Sequence, residues 1–397
     1  MARVPGTPER RHAIYIDTPV LTALRQVAPF FESGIFDTSH CAIYIRRRAL
    51  VQLQRLFTVL PRSLGIRSER GTTLTMAEGN LVFYPFNAQS NMNVLTQRQY
   101  RHVLTLHGES NKAASFRPAS RMYDYICVAG PLAIDRYLEA GIFTPEEAHG
   151  GRLIQMGDSF VQRLPWLRPA TEADGAAASI FYCPTWEGFG AQTNNYSSVT
   201  GGWGFEAVVQ AARALDVGRI VIKPHPYLGL LRQGMWRDFI VGLRGMVRCG
   251  LKVELALDDM PAVTRLLFRA ALASVPLYRP DPANPLPVRL GITDVSGMAA
   301  VLLTARIPKV VAHVTPPEVS PRMQDIEPLK SIAPGDDIAA VTRAYLEQAD
   351  AIDTRHRDAV FGWHDPALPV MAMPERLTWL IDHVQRDPYW QDKARGG

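Results

Sequence analysis

The chain has 397 residues and a formal net charge of +5, with 47% hydrophobic and 20% charged residues. A chain of this length is too long for one ordinary hydrophobic core, so two domains are predicted. The composition excludes a disordered or fibrous protein. No apolar run is long enough to cross a bilayer, and the arginine-containing N-terminus lacks the apolar core of a signal peptide. Four widely spaced cysteines (Cys41, Cys127, Cys183 and Cys249) predict reduced core thiols in a cytosolic protein.

Apolar runs typical of strands alternate with helical stretches along the chain. Strand-like runs occupy residues 12–17, 41–45, 81–86, 102–107, 124–130, 151–157, 179–186, 219–226, 251–257, 290–297 and 308–314. Helical stretches include residues 131–141, 202–215 and 296–306, and the tail after about residue 335 is mostly helical. This alternation predicts two doubly wound α/β domains with parallel sheets, and the polar, alanine-rich residues 164–179 are interpreted as the interdomain linker.

Two of the predicted strands end in a histidine with a lysine nearby. In doubly wound folds ligands bind outside the carboxyl ends of the strands, so strand-end residues are candidate site residues. His107-Gly108 ends one run and precedes Lys112, while Lys223 and His225 close another. Only six of the 43 basic residues are lysines, and two of them accompany these histidines. A compact ammonium suits an oxyanion, whereas the simpler alternative for His107 is a turn with an incidental histidine.

A third strand end combines Asp294, Ser296 and Gly297 immediately before a helix. A helix start presents free N–H groups and a positive dipole end, which suit a phosphate. Ser296 can add a hydroxyl and Gly297 permits a tight turn, while Asp294 suits a sugar or glycerol hydroxyl. The alternative is that Ser296 or Asp294 only caps the helix.

Basic residues concentrate in the stretch from Arg46 to Arg70. Its leucines and phenylalanine at helical spacing predict an amphipathic helix, with either a solvated face or a surface for anionic lipid headgroups or a phosphate-rich acceptor. The stretch contains no nucleic-acid-binding motif, and no pattern of aromatic residues between the basic ones is found. No nucleic-acid partner is therefore expected. The arginines of this stretch are Arg46, Arg47, Arg48, Arg55, Arg62, Arg67 and Arg70.

Four segments together resemble the CDP-glycerol glycerophosphotransferase family, the teichoic-acid and capsule polymerases and primases of bacteria. They are "HGESNK", "FYCPTWEG", "IVIKPHP" and "ITDVSGMAAVLLTARIPKVV", in the order seen in that family. The resemblance implies a GT-B-like fold in which two doubly wound Rossmann-like domains face a cleft. It implies an acceptor-side domain at residues 1–165, a nucleotide-donor domain at 175–340, and C-terminal helices at 341–397 that pack back on the N-terminal domain.

The resemblance also assigns roles to residues. His107 corresponds to the base that acts on the acceptor hydroxyl, and a histidine that titrates near pH 6.5 suits that task. His225 corresponds to the histidine that contacts the donor phosphates and stabilises the leaving CMP. The donor-binding residues carried over are Gly108, Lys112, Thr185, Trp186, Lys223, Asp294, Ser296 and Gly297.

The implied activity is transfer of glycerol phosphate, or a related polyol phosphate, from a CDP-linked donor to a hydroxyl of a lipid-linked or polysaccharide acceptor. No cofactor is expected; no acidic cluster with metal-ligand spacing is visible, although a divalent cation is compatible with the sequence. Glu187 replaces the commoner arginine, Gly297 replaces a serine, and Asn111-Lys112 is a variant motif ending, so the donor alcohol stays open. The expected location is the cytoplasm, with peripheral attachment to the inner face of the plasma membrane. The alternatives are a GT-B glycosyltransferase using a nucleotide sugar and a non-enzymatic scaffold.

Overall fold

The structure is a computed structural model, and it falls into two compact units. Among the described residues, unit 1 contains 12–109, 117–162 and 361–390, and unit 2 contains 163–360, each with the gaps given next. The described residues are 12–18, 23–46, 66–68, 74–109, 117–187, 196–229, 233–257, 260, 262–272, 274–314 and 319–390.

Unit 1 is built on a parallel sheet of seven strands in the order β3-β2-β1-β4-β5-β6-β7. Strands β2 and β3 lie on one side of β1, and β4 to β7 lie on its other side. The topological switch point therefore lies between β1 and β4. The strands are β1 (His12–Ile16), β2 (Cys41–Ile45), β3 (Ile66–Ser68), β4 (Leu81–Tyr84), β5 (Arg101–Leu104), β6 (Tyr125–Val128) and β7 (Leu153–Gln155).

Both faces of this sheet are covered, as near-continuous apolar strands require. One face packs against α1 (Ala23–Glu32) and against α9 (Met373–Gln385), whose Leu377 and Leu380 share a core with Ile14. The other face carries aromatic residues of the strands and of α2 (Pro131–Glu139). The last segment of the chain is therefore part of unit 1.

Unit 2 is built on a second parallel sheet of eight strands, in the order β12-β11-β10-β9-β13-β14-β15, with β8 paired to β13. Its switch point lies between β9 and β13. The strands are β8 (Leu167–Pro169), β9 (Ser179–Cys183), β10 (Arg219–Ile222), β11 (Lys252–Ala256), β12 (Leu277–Tyr278), β13 (Leu286–Asp294), β14 (Lys309–Ala312) and β15 (Ser331–Ile332).

Six helices connect or cover the strands of unit 2. The crossovers from β9 to β10 to β11 to β12 contain the first three of them, and the remaining three flank β14 and β15 or follow them. They are α3 (Trp203–Ala214), α4 (Gln233–Arg248), α5 (Ala262–Ala271), α6 (Met298–Thr304), α7 (Ile338–Leu346) and α8 (Ala349–Val360). Single helical turns occur at Met92–Leu95, Pro145–Glu147 and Glu327–Lys330.

The predicted α/β class and the two doubly wound parallel sheets are confirmed, while the cleft between the domains stays a prediction. Residues 164–179 are not a free linker, because β8 lies within them and pairs with β13. Unit 2 continues to Val360, beyond the predicted limit at residue 340, since α7 and α8 pack within it. Cys249 is exposed, so the prediction of core thiols holds only for the other three cysteines.

Two features that the described residues lack bear on membrane and metal binding. No helix within them is both long and apolar enough to cross a bilayer. The same part of the chain contains no group of three or more histidine, cysteine, aspartate or glutamate residues arranged to hold a metal ion.

Candidate functional site

His107 lies at the end of β5, in a turn with an unusual backbone. Leu106 has a φ of 58° and Gly108 a φ of 142°, both in the region that side-chain-bearing residues avoid. Gly108 is therefore needed for its conformation, and no atom lies within 4 Å of where its Cβ would be. His107 is exposed in this turn, and its ring lies 4.5 Å from the Phe86 ring.

The hydrogen bond of His107 fixes which ring nitrogen carries the proton. Nδ1 lies 2.8 Å from the carbonyl oxygen of Pro85, which can only accept, so Nδ1–H is the donor. In the neutral ring Nε2 is then unprotonated and can accept a proton. Desolvation lowers the pKa of His107 and the bond to Pro85 opposes this, while the exposure of the ring limits the size of the shift.

A shallow cavity opens beside this turn, at the carboxyl ends of β5, β6 and β7, and Gly108, Glu109 and Met156 contribute to its lining. Next to it, Glu109 forms a largely buried ion pair with Arg136 of α2. Burial lowers the pKa of Arg136 to about 10, which leaves the guanidinium charged. The sequence analysis missed this pair, although Glu109 lies inside the "HGESNK" segment. Lys112, the last residue of that segment, lies outside the described residues.

His225 lies in unit 2, in the segment that follows β10. The backbone N–H of Tyr227 donates to its Nδ1 over 3.1 Å, so the neutral ring carries its proton on Nε2. The Trp186 ring stacks on the imidazole with centroids 5.6 Å apart and planes inclined by 14°. His225 is thus held as a donor through Nε2, the reverse of the arrangement at His107.

Asp294 ends β13 and has no exposed surface. Its carboxylate accepts the backbone N–H of Thr185 over 2.6 Å and that of Ser198 over 3.2 Å. Ser197 donates its hydroxyl to the carbonyl of Thr185 over 2.8 Å. The carboxylate therefore fastens the segment after β9 to the residues before α3. Contact with a donor hydroxyl stays a prediction for Asp294.

Glu187 has a physical role that the resemblance did not suggest. It is fully buried and accepts the backbone N–H of Gly229 over 3.0 Å, which ties the segment after β9 to the turn after His225. An arginine at this position could not accept that hydrogen bond. Lys223 is buried, and its backbone N–H donates to the carbonyl of Tyr182 over 2.8 Å, which extends the β9–β10 pairing.

Ser296 and Gly297 adopt the arrangement of a helix start. The Ser296 hydroxyl accepts the N–H of Met298 over 3.3 Å and lies 3.2 Å from the hydroxyl of Thr293. Gly297 has a φ of −58°, which is ordinary helical backbone, so the chain there does not use the conformational freedom of glycine. Capping is thus the contact that Ser296 makes, and its binding to a donor stays a prediction.

The structure gathers most of the predicted unit 2 residues at three adjacent strand ends. Thr185 and Trp186 follow β9, Lys223 and His225 follow β10, and Asp294 ends β13. These strands flank the switch point, where ligands of doubly wound sheets bind. Ser197, Ser198, Tyr227 and Gly229 complete the cluster and were missed by the sequence analysis, because their contributions are mostly backbone groups and contacts remote in sequence.

No protein-family model and no curated protein matches the sequence. Similar solved structures include the wall teichoic acid polymerase TagF with CDPG, at 10% identity over 96% of this chain and 89% of that chain, with a TM-score of 0.42. Trehalose-6-phosphate synthase is similar at 9% identity over 91% and 86%, with a TM-score of 0.43. The E. coli heptosyltransferase WaaC with ADP is similar at 11% identity over 86% and 99%, with a TM-score of 0.38.

Proposed function

We propose that this chain transfers a polyol phosphate, glycerol phosphate in the first instance, from a CDP-linked donor to a hydroxyl of a cell-envelope acceptor and releases CMP. The acceptor oxygen forms a bond to the β-phosphorus, the bond from that phosphorus to the CMP oxygen breaks, and the acceptor proton passes to a base. The observation that supports the proposal is that the neutral rings of His107 and His225 are held in opposite tautomers. Nε2 can accept a proton in His107 and can donate a hydrogen bond in His225.

His107 is the base in this proposal. Its unprotonated Nε2 takes the acceptor proton, while the Pro85 carbonyl holds the ring in the required tautomer and stabilises the imidazolium that forms. The ring is exposed, so a hydroxyl of a large acceptor can reach it. Unit 1 is accordingly the acceptor-side domain.

Unit 2 is the donor-side domain, with the nucleotide bound at the switch point between β9 and β13. The Nε2–H of His225 donates to a phosphate oxygen, and Trp186 and Tyr227 hold the imidazole. Catalysis then depends mainly on positioning and on neutralising phosphate charge. The sequence requires no metal for this, and a divalent ion that accompanies the donor is compatible with it.

The proposal is tested by a panel of nucleotides and donors. Calorimetric titration with CMP, UMP, AMP and GMP should show CMP binding best. CDP-glycerol, other CDP-polyols and UDP-sugars should then be assayed with a polyol-phosphate acceptor, and the expected products are CMP and a phosphodiester. Equal or tighter binding of UMP, together with a glycosidic product, would replace this proposal with a nucleotide-sugar glycosyltransferase.

His225→Ala should weaken donor binding and lower kcat, because it removes a donor to the phosphates. Loss of a hydrogen bond to a charged group costs about 1.5–3 kcal/mol, or about 10- to 150-fold. His225→Gln, whose amide nitrogen can take the place of Nε2, should recover part of both quantities. Calorimetry and steady-state kinetics provide the two readouts, and unchanged donor affinity in a folded His225→Ala protein would exclude the phosphate contact.

A further inference from the structure

Helices α4 and α5 carry a concentration of arginines with almost no acidic residues. Asp238 is the one acidic residue in these two helices, and its carboxylate accepts the backbone N–H of Gly201 over 2.9 Å. None of the arginines pairs with a carboxylate in the described part of the chain, and four of the five are exposed. They are Arg237, Arg244, Arg248, Arg265 and Arg269.

The arginines of α4 share one face of the helix with an aliphatic residue. Arg237, Val241, Arg244 and Arg248 follow at spacings of four, three and four residues, which places them in one stripe. The opposite face is buried through Phe239, Leu243 and others, so the stripe points away from the core. A helix of 16 residues is about 24 Å long, and the stripe runs along most of it.

Aliphatic side chains between these arginines are unusually exposed. The relative exposures are 60% for Val241, 47% for Val247 and 65% for Leu266. An ordinary solvated helix face has polar residues at such positions, whereas a surface that meets a bilayer combines basic and apolar side chains.

The two helices present this surface side by side. The ring of Trp236 on α4 lies 4.6 Å from that of Phe268 on α5, and Phe239 also contacts Phe268. Both helices are crossovers between successive neighbouring strands, β10 to β11 and β11 to β12, so they cover the same face of the sheet. The five arginines, with Val241, Val247 and Leu266, form one surface, named here the α4–α5 surface.

We infer that the α4–α5 surface binds anionic phospholipid bilayers and holds the protein at a membrane. Guanidinium groups attract anionic headgroups, and the three aliphatic side chains can enter the headgroup boundary beside them. A nucleic acid would also attract the arginines but gives the exposed aliphatic side chains no favourable environment, and aromatic residues for base stacking are not exposed on either helix. The inference does not depend on the proposed chemistry. It assigns the membrane contact to unit 2 and not to the Arg46–Arg70 stretch, of which residues 47–65, 69 and 70 lie outside the described residues.

The test is co-sedimentation of the full chain with vesicles of phosphatidylcholine alone or with 30% phosphatidylglycerol. We expect binding to the anionic vesicles only, with a decrease as salt rises. The triple variant Arg237→Glu, Arg244→Glu, Arg248→Glu should bind at least tenfold more weakly, because each basic residue near an anionic surface contributes about fivefold. Val241→Ser with Leu266→Ser should weaken binding several-fold without changing the charge.

The matched control is the triple variant Arg306→Glu, Arg343→Glu, Arg355→Glu. These arginines are also exposed in unit 2, and the change in net charge is the same. Retained binding of this control alongside loss in the α4–α5 variant supports the inference. Equal loss in both variants would show a response to net charge, and it would overturn the inference. So would absence of binding to anionic vesicles, or loss only on Arg47→Glu, Arg48→Glu and Arg55→Glu. Circular dichroism of each variant establishes that it is folded.

Discussion

His107→Ala should lower kcat by about 10² to 10⁴-fold while donor affinity changes by no more than a few fold. The range is that of general-base catalysis, and donor affinity is spared because Nε2 acts on the acceptor. The bond from Nδ1 to the Pro85 carbonyl shows why the position is specific, since it leaves Nε2 of the neutral ring unprotonated. Single-turnover kinetics with a CDP-polyol, combined with calorimetric donor titration, separates the two effects.

His149→Ala is the matched control for this substitution. His149 also directs Nδ1 at a proline carbonyl, that of Pro145 at 2.6 Å, and is exposed in unit 1. It lies outside every segment of the family resemblance, so its loss should leave turnover unchanged. If a folded His107→Ala protein keeps most of its activity, His107 is an ordinary turn residue, and the proposed base is incorrect.

The main strands could be predicted because each is an apolar run that ends at polar or turn residues. The segments at β1, β5 and β10 are of this kind, and both of their sheet faces are buried. The strands that the sequence pattern did not predict are two or three residues long. They are recognised only by their hydrogen-bonded pairing with a neighbouring strand. β8 contains Arg168 and Pro169 and is a strand only because it aligns with β13. No period can be read from so short a run.

The site was predictable as a set of strand-end residues, but their roles were not. His107 and His225 occupy similar positions in sequence, after a strand, yet their protonation is set by a carbonyl in one and by an N–H in the other. Both partners are backbone groups, and a sequence pattern does not show where a backbone group points. The same is true of Asp294, whose carboxylate is occupied by two N–H groups from other segments.

A buried charge cluster in unit 2 leads to the second large expected effect. Lys309 and Lys330 are both fully buried, and the carboxylate of Asp353 lies within 4 Å of both Nζ atoms. Asp353 Oδ1 is 3.1 Å from Lys330 Nζ and 3.9 Å from Lys309 Nζ, while its Oδ2 accepts the Tyr345 hydroxyl over 2.8 Å. Lys309 Nζ forms no hydrogen bond within the described chain. The buried carboxylate of Glu327 also interacts with both lysines, so the cluster contains two carboxylates. Lys309 is the costly member, because its charged form is buried without a hydrogen bond and beside a second lysine.

Asp353→Ala should lower the free energy of unfolding by about 3–5 kcal/mol, because removing one partner of a buried pair leaves the other charge uncompensated. Lys309→Met should be neutral or stabilising by about 1–4 kcal/mol, since it replaces an amine that is costly to bury by an apolar side chain of similar volume. Asp350→Ala, an exposed residue in the first turn of the same helix, is the control and should change stability little. Urea denaturation measures all three, and a strongly destabilised Lys309→Met protein would contradict this account.

The pH dependence of stability separates the cost of burying the Lys309 charge from simple packing. Burial, and then the charge of Lys330, hold the pKa of Lys309 well below its ordinary 10.5. Unfolding therefore takes up a proton between the lowered pKa and 10.5, so the cost of burying Lys309 is absent above 10.5 and increases as pH falls toward the lowered pKa. The Lys309→Met protein lacks this proton uptake. The amount by which its free energy of unfolding exceeds that of the wild type should therefore decrease between pH 7.5 and pH 9.5. His356, whose pKa burial holds well below 6.5, titrates outside this window and does not obscure the difference. A constant difference across the window would mean that Lys309 is not the group that takes up the proton.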